Sequence, residues 1–354
     1  MTKIENLIRP HLKCLSAYSS ARDEFSGKAK IFLDANENAL GSALYPKLNR
    51  YPDPYQLDLK KAIGKLKHIP PEQIFLGNGS DEPIDLLIRL FCEPKQDKIV
   101  LCPPTYGMYQ VSASINNVDV LDIPLNESFH LETEKILEQA DPECKLLFLC
   151  SPNNPTGNLL RPEAIELLLS KFGGIVVIDE AYIDFAKAPS WTKRLSEFPN
   201  LVVLQTFSKA WGLAGLRLGM AFASEEIIGW LNKIKSPYNL SSLTQKAALK
   251  ALNNETLINQ QAHKILAMRE DLKEKLLSLP FVETVYHSHA NFLLIKTKHA
   301  DSVYQSLLQK EIVVRNRSQI KQCEGGLRIT VGTESENAQL IKALQSFNPE
   351  NHTS

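Results

Sequence analysis

The chain has 354 residues, more than one typical hydrophobic core needs, so its length predicts two domains or one large domain with a smaller one. Forty Lys and Arg side chains balance 40 Asp and Glu side chains, which argues against a protein that binds nucleic acid or anionic lipid through its net charge. The six cysteines are scattered, which predicts reduced thiols and no metal site. The sequence shows no signal-peptide core and no apolar run of about 18 residues, so we expect a cytoplasmic protein without membrane contact.

Short apolar runs in the first two thirds of the chain alternate with segments of helical spacing. The runs at residues 98–101, 145–150, 174–179 and 201–204 are continuously apolar, which is typical of strands buried on both faces of a sheet. The segment 161–172 carries Pro at its second position, as helix starts often do. We therefore expect an α/β domain around a largely parallel sheet.

The last third of the chain has a different pattern. Residues 241–279 favour a long helix that is interrupted near an Asn-Asn pair. Strands are predicted after it at residues 291–295, 312–315 and 327–331. Together with two helical segments, they predict a compact α+β unit.

Residues 77–83 (GNGSDEP) lie between an apolar run and a helical segment. Backbone N–H groups and a serine hydroxyl at a helix N-terminus form an anion site, so Gly79, Ser80 and Asp81 are candidate anion ligands. On its own, the glycine pair would suit a plain turn equally well.

Polar residues also follow two of the buried runs. Residues 151–157 (SPNNPTG) begin at the carboxyl end of one predicted strand, where open α/β sheets expose their ligand-binding loops. Two prolines stiffen this loop, which suits an asparagine such as Asn154 that must hold an amide still. Asp179 ends the next strand, and its carboxylate can keep a ring nitrogen protonated. A polar turn and a solvated strand cap are the plain alternatives.

Lys209 is the most informative residue of the chain. It lies in residues 206–217 (TFSKAWGLAGLR), which place one amine among hydroxyls and glycines with Arg217 eight residues further on. Such an amine is suited to condensation with an aldehyde, and the hydroxyls and guanidinium are suited to a phosphate. An isolated Ser-Lys pair would be a surface lysine, but the other motifs at regular intervals favour the chemical interpretation.

These motifs, in this order, resemble those of class I and II aminotransferases over essentially the whole chain, and within them the histidinol-phosphate aminotransferase group. Further matches are residues 18–22 (YSSAR), 33–38 (LDANEN), 49–54 (NRYPDP), 314–317 (VRNR) and 326–330 (GLRIT). The resemblance implies fold type I of the pyridoxal 5′-phosphate (PLP) enzymes, with a large α/β domain around a mostly parallel sheet and a smaller α+β domain. The expected division is an N-terminal segment joining the small domain (1–45), the large PLP-binding domain (46–240), and the long helix with the small domain (241–354).

The resemblance also implies how the cofactor is held. Lys209 would carry the PLP aldehyde, Asp179 would meet the ring nitrogen, Asn154 and Tyr182 would bind the ring oxygen, and Tyr106 would stack on the ring. The cofactor phosphate would be bound by Gly79, Ser80, Asp81, Thr206, Ser208, Arg217 and, from the neighbouring subunit, Tyr51. The active form would therefore be a homodimer.

The substrate end of the site would be lined by Tyr18, Asn36, Arg315 and Arg328. Two arginines suit a site that takes a phosphate monoester and a dicarboxylate in turn, because a planar guanidinium binds either anion through two hydrogen bonds. The implied reaction is a ping-pong transamination in L-histidine biosynthesis, in which L-histidinol phosphate and 2-oxoglutarate give imidazole-acetol phosphate and glutamate. Lys209 would be both tether and general acid/base.

Three alternatives stay open at this level. An aminotransferase for aromatic amino acids uses similar motifs, and its substrate carboxylate would occupy the arginine site. An enzyme similar to phosphothreonine decarboxylase is a second alternative. The third is a non-catalytic PLP-binding protein, which is hard to reconcile with an intact set of Lys209, Asp179, Asn154 and Arg217.

Overall fold

The structure is a computed structural model that describes residues 3–16, 30–44 and 48–348. Its helices are α1 (Ile4–Leu7), α2 (Pro10–Lys13), α3 (Leu57–Lys67), α4 (Asp81–Phe91), α5 (Met108–Ile115), α6 (Thr133–Gln139), α7 (Pro162–Lys171), α8 (Glu225–Ile234), α9 (Ser242–Leu252), α10 (Glu255–Leu277), α11 (Ala300–Gln309) and α12 (Glu334–Gln345). Its strands are β1 (Ile74–Asn78), β2 (Lys98–Leu101), β3 (Asp119–Asp122), β4 (Cys144–Cys150), β5 (Ile175–Asp179), β6 (Leu201–Thr206), β7 (Leu218–Phe222), β8 (Thr284–Val285), β9 (Phe292–Lys296), β10 (Arg315–Asn316) and β11 (Gly326–Thr330). Among these helices, none has the length and apolar character that crossing a bilayer requires.

Seven strands form one sheet in the order β1-β7-β6-β5-β4-β2-β3. Its centre is parallel, because β2 pairs in parallel with β3 and β4, and β5 pairs in parallel with β4 and β6. Strand β7 runs antiparallel to both of its neighbours, β6 and β1. The predicted largely parallel sheet is confirmed, with this one reversed strand near its edge.

Helices cover both faces of the large sheet, which is why its central strands are continuously apolar. Along β4, Leu147 and Leu149 belong to a core that they share with α3, α6 and α7. Leu146 and Phe148 point to the opposite side and pack with α1, α4, α5 and α8. Alternate residues of one strand therefore serve two separate cores, so neither face can be polar.

The second sheet has four antiparallel strands in the order β10-β11-β9-β8. A third core joins it to α11, α12 and the C-terminal part of α10, through residues such as Leu276, Leu293 and Leu344. Helices α9 and α10 fill the predicted long helical segment and are separated at Asn253 and Asn254, as the sequence indicated. The three-part domain division stays a prediction.

The predicted strand at residues 312–315 is wrong over most of its length. Strand β10 begins only at Arg315, where the backbone meets Arg328 of β11. Before that point Glu311 has a left-handed backbone (φ 59°), and Val313 is 74% exposed. The β-branched pattern therefore lies in a loop, because these residues have no strand to pair with.

The strands that were not predicted include β3 and β7 of the large sheet, for different reasons. Strand β3 has the sequence DVLD, and charged residues at both ends break the apolar pattern. Strand β7 follows the lysine motif closely and contains Gly219, which is a poor strand former. Both lie toward the edges of the sheet, where pairing rather than sequence pattern decides the conformation.

Gly219 marks a close approach of two backbones. A Cβ atom at this position would lie 2.2 Å from Gly79 C and 2.2 Å from Ser80 N. Both atoms belong to the turn between β1 and α4. A side chain at residue 219 would therefore push away the start of α4, the predicted anion site.

We expect Gly219→Ala to lower the free energy of unfolding by about 1–3 kcal/mol, because an added methyl group forces the backbone of residues 79 and 80 to move. Denaturant unfolding followed by tryptophan fluorescence would measure the change. Gly229→Ala is the matched control, because Gly229 lies in α8 and a Cβ atom added there would meet nothing within 4 Å. That control should be neutral or up to about 1 kcal/mol more stable. Equal effects of the two substitutions would contradict the close approach.

Candidate active site

One cavity of about 280 Å³ lies at the carboxyl ends of β4, β5 and β6 and extends to the arginines of the small sheet. These three parallel strands are neighbours, so the residues at their ends meet at one edge of the sheet. Most of the site residues expected from the sequence line it: Gly79, Ser80, Asp81, Tyr106, Asn154, Asp179, Tyr182, Thr206, Ser208, Lys209, Arg217, Arg315 and Arg328.

Lys209 follows β6 and presents its amine to the cavity. Its Nζ lies 5.4 Å from the centroid of the Tyr182 ring. Partial desolvation of the amine lowers the pKa of Lys209, and the positive charge of Arg328 acts in the same direction. The carboxylates of Asp179 and Asp81 oppose this shift without reversing it. A larger fraction of the amine is therefore uncharged near neutral pH, as a nucleophile or base requires.

Asp179 ends β5 and is buried. Its Oδ2 accepts a hydrogen bond from the Tyr109 hydroxyl at 2.7 Å, and its Oδ1 accepts one from the Ala181 backbone N–H at 3.0 Å. Burial raises the pKa of Asp179, whereas these two hydrogen bonds favour its ionised form. The carboxylate is thus fixed in place but forms no salt bridge with a described side chain, so a protonated ring nitrogen would supply an ion-pair partner.

Tyr109 is a site residue that the sequence analysis missed. It is completely buried in α5, and its ring stacks on Phe148 of β4 at a centroid distance of 4.8 Å. Tyr106, three residues earlier, lines the cavity itself. Residues three apart share one face of a helical turn, so the spacing of these tyrosines was a usable signal.

The two asparagines of residues 151–157 have different positions. Asn153 is buried, and its Nδ2 donates to Pro104 O at 2.8 Å and to Thr156 Oγ1 at 2.7 Å, so it holds the loop together. Asn154 lines the cavity, and its Oδ1 accepts a hydrogen bond from Arg328 Nη1 at 2.5 Å. That bond joins the loop after β4 to β11 of the small sheet.

A group of donors surrounds the N-terminus of α4. Arg217 Nη2 lies 3.5 Å from Asp81 Oδ2, and Thr206 Oγ1 lies 3.0 Å from Ser208 Oγ. Ser80 is the residue that precedes α4, where backbone N–H groups point out of the helix. An anion site of the kind that binds a phosphate is formed by the N-terminus of α4, the two hydroxyls and the Arg217 guanidinium.

Three arginines of the small sheet line the other side of the cavity. Arg315 and Arg328 were expected, whereas Arg317 was not named as a site residue although it lies in the matched segment 314–317. With Lys209 and Arg217 the cavity has five cationic side chains, against the carboxylates of Asp81 and Asp179. Such an excess of positive charge suits more than one anionic group.

Two expected site residues that the structure describes, Tyr51 and Asn36, do not line this cavity. Tyr51 is 51% exposed, and its ring stacks on Tyr238 at 4.5 Å. Asn36 is exposed and has a left-handed backbone (φ 52°). Tyr18 lies outside the residues that the structure describes. The roles expected for all three stay predictions.

Comparison with known proteins identifies the family. The profile described as aminotransferase class I and II matches residues 25–344. The chain belongs to the class I and II aminotransferase family. It is 54% identical over 347 residues to the histidinol-phosphate aminotransferase of Parabacteroides distasonis, covering 98% of this chain and 99% of that protein. It is 52% identical over 344 residues to the histidinol-phosphate aminotransferase of Cytophaga hutchinsonii, covering 97% and 99%.

A solved structure gives the same result for the fold. The histidinol-phosphate aminotransferase of Clostridium acetobutylicum superposes with a TM-score of 0.78 at 26% identity, covering 84% of this chain and 90% of that chain. The expected fold type I architecture is confirmed.

This aminotransferase is a PLP-dependent enzyme, and its cavity fits the cofactor. Lys209 offers an amine of lowered pKa, and Asp179 offers a buried carboxylate that forms no salt bridge with a described side chain. The donors around α4 suit the phosphate. Buried Nε atoms of Arg317 and Arg328 also lack a hydrogen-bond partner among the described residues. Unpaired buried donors of this kind are costly unless a ligand accepts their hydrogen bonds.

We expect Tyr109→Phe to weaken PLP binding roughly 10- to 100-fold, since a hydrogen bond to a charged group contributes about 1.5–3 kcal/mol. The loss follows because the hydroxyl stabilises the ionised form of Asp179. Equilibrium dialysis of the apoenzyme against PLP would measure the affinity. Tyr304→Phe in α11, outside the cavity, is the matched control. An unchanged affinity in Tyr109→Phe would refute this role.

Proposed function

We propose that this enzyme is a histidinol-phosphate aminotransferase that acts in L-histidine biosynthesis. It transfers the amino group of L-histidinol phosphate to 2-oxoglutarate in a ping-pong reaction that yields imidazole-acetol phosphate and glutamate. The observation that carries the proposal is one cavity with Lys209 and Asp179 on one side and a group of arginines on the other. Curated relatives at 52% and 54% identity over nearly the whole chain bear this name and support it.

Bound PLP supplies an aldehyde that takes up the substrate amine and a ring that withdraws electrons from the α-carbon. Lys209 would tether the cofactor and would serve as the base that removes the proton from the substrate α-carbon. Its lowered pKa supports this role, because a base must be uncharged at the working pH. Asp179 would keep the ring nitrogen protonated, and Asn154 and Tyr182 would bind the ring oxygen.

The same cavity must bind a phosphate monoester and a dicarboxylate in turn. Arg328 is held by Asn154, so its guanidinium has a defined orientation toward either anion. Arg315 is exposed on the adjacent strand and approaches from the cavity mouth. We assign both to the anionic end of the substrates, because guanidinium groups bind carboxylates and phosphates through paired hydrogen bonds.

The charge of the cavity favours this function over an aromatic aminotransferase. An aromatic amino acid would bring only one carboxylate to the guanidinium groups, whereas L-histidinol phosphate brings a phosphate with up to two negative charges. Phosphothreonine keeps a carboxylate on its α-carbon, so loss of CO₂ would compete with loss of the proton. L-Histidinol phosphate has no carboxylate on its α-carbon. Loss of the α-proton to Lys209 therefore has no competing decarboxylation.

A homodimer is part of the proposal. Residues 31–44 expose large apolar side chains, among them Leu33 (86% exposed) and Leu40 (98% exposed). The Glu37 carboxylate accepts a hydrogen bond from the Tyr51 backbone N–H at 2.7 Å, so this segment and Tyr51 belong to one surface. Several large apolar side chains exposed on one short segment are typical of a subunit interface. On our proposal, Tyr51 reaches the cofactor phosphate of the partner.

The proposed cytoplasmic location has support of a different kind. All six cysteines are free, and five of them are buried. Free thiols are typical of proteins that work in a reducing compartment.

We expect the PLP-loaded enzyme, mixed with L-histidinol phosphate in a stopped-flow spectrometer, to lose the absorbance band of the lysine-bound cofactor rapidly. Phenylalanine should react much more slowly, because it carries no phosphate for the arginines of the cavity to bind. Lys209→Ala is the control, and it should not sustain turnover with either donor because it lacks the base.

Other outcomes of that experiment identify the alternatives. Faster conversion by phenylalanine would make the enzyme an aromatic aminotransferase. A separate incubation with phosphothreonine tests the second alternative, and release of CO₂ would make the enzyme a decarboxylase.

We expect the enzyme to sediment as a dimer and the double variant Leu33→Asp, Leu40→Asp to sediment as a monomer with weaker PLP binding. Buried carboxylates at the interface would oppose association, and a monomer would lack Tyr51 of the partner. Ile115→Asp is the matched control, since Ile115 is 70% exposed on α5. A monomeric wild type, or a dimer that survives both substitutions, would contradict this interface.

A further inference from the structure

Three arginines lie on one face of the β10–β11 hairpin. Arg315 and Arg328 are directly opposite each other in the antiparallel ladder. Arg317 continues the ladder, because its backbone N–H donates to Gly326 O at 2.8 Å. Residues two apart on a strand point to the same side, so Arg315 and Arg317 face the same way, and all three side chains line the cavity.

None of these guanidinium groups has a carboxylate partner within the described part of the chain. Arg328 donates to the amide oxygen of Asn154, which is neutral. The Nε atom of Arg317 is buried without a hydrogen-bond partner. Desolvation and the charges of Arg328 and Arg315 lower the pKa of Arg317. Like charges opposite each other destabilise a strand pair, so this arrangement is explained best by an anionic ligand.

We propose that Arg317 is a specificity-determining residue that binds the phosphate monoester of the amino donor and that the acceptor dicarboxylate is held without it. The proposal rests on the function proposed above. A phosphate monoester carries up to two negative charges and has three terminal oxygens, whereas a carboxylate carries one charge and has two. The acceptor has two carboxylates, and each is matched by one guanidinium through paired hydrogen bonds. Arg315 and Arg328 therefore suffice for the acceptor, and the third guanidinium finds acceptors only on the phosphate.

The position of Arg317 supports this division. Its carbonyl accepts a hydrogen bond from the Ile320 N–H at 2.9 Å, so a turn fixes the backbone on its C-terminal side as the ladder does on the other. Arg317 is therefore preorganised, which lowers the entropy cost of binding. Its two nearest cations, Arg328 and Arg315, also line the cavity, so the three groups can converge on one phosphate.

The test compares donor and acceptor binding in Arg317→Gln. Holoenzyme that has been reduced with borohydride cannot turn over, so calorimetric titration with L-histidinol phosphate or 2-oxoglutarate measures binding alone. We expect the Kd of L-histidinol phosphate to rise roughly 10- to 100-fold, as for loss of a charged hydrogen-bonding group. The Kd of 2-oxoglutarate should change less than about threefold.

Lys321→Gln is the matched control, because Lys321 lies in the same loop, is exposed and does not line the cavity. It removes the same charge and should leave both Kd values unchanged. Arg317→Lys keeps the charge but loses the planar pair of donors, so it should weaken donor binding less than Arg317→Gln and serves as the test if the latter does not fold.

The outcomes separate this inference from the proposed function. Turnover of L-histidinol phosphate by the wild type tests the function and does not involve the variants. Unchanged donor affinity in Arg317→Gln, or equal weakening of donor and acceptor, would overturn the assignment of Arg317. Inorganic phosphate, titrated into the same reduced holoenzymes, checks that the lost affinity belongs to the phosphate group.

Discussion

The buried carboxylate of Asp179 is the constraint on which the rest of the site depends. An ionised group in the interior is costly unless hydrogen bonds and an opposite charge compensate it. The fold supplies the hydrogen bonds, from the Tyr109 hydroxyl and the Ala181 backbone. Tyr109 can do so only because α5 packs on the face of the sheet where it meets Phe148. On our proposal, the opposite charge comes from the protonated ring nitrogen of the cofactor, so protein and cofactor would complete each other electrostatically.

The parallel sheet explains why these groups meet at all. Strands β4, β5 and β6 are neighbours and run in the same direction, so Cys150, Asp179 and Thr206 end at one edge. The substrate side is supplied by a different sheet, and the Arg328–Asn154 hydrogen bond joins the two. This bond connects a residue expected at the cofactor ring with one expected at the substrate anion. A change in the small sheet can therefore affect the geometry at the cofactor.

Sequence was sufficient where a local pattern decides the structure. The buried strands β4 to β6 were recognised from continuous apolar runs, and Lys209, Asp179 and Asn154 from short motifs at their ends. Tyr109 was missed because its role depends on a hydrogen bond to Asp179, which lies 70 residues further along the chain. Arg317 was missed because the match to residues 314–317 pointed only to Arg315. The strand at 312–315 failed because its apolar residues have no partner. The role expected for Tyr51 stays a prediction, because it involves a second subunit and a pattern within one chain does not describe such a contact.

The arginine hairpin illustrates how function and stability are opposed in this fold. A cross-strand pair of like charges costs on the order of 0.2–1 kcal/mol, and unpaired buried donors add to that cost. Replacing these arginines by neutral residues would then stabilise the free protein while weakening the anion site. Anionic ligands reverse the balance, because any ligand that binds only the folded state stabilises it by mass action. The hairpin that costs stability in the free chain is thus a part of the enzyme that anionic substrates are expected to stabilise.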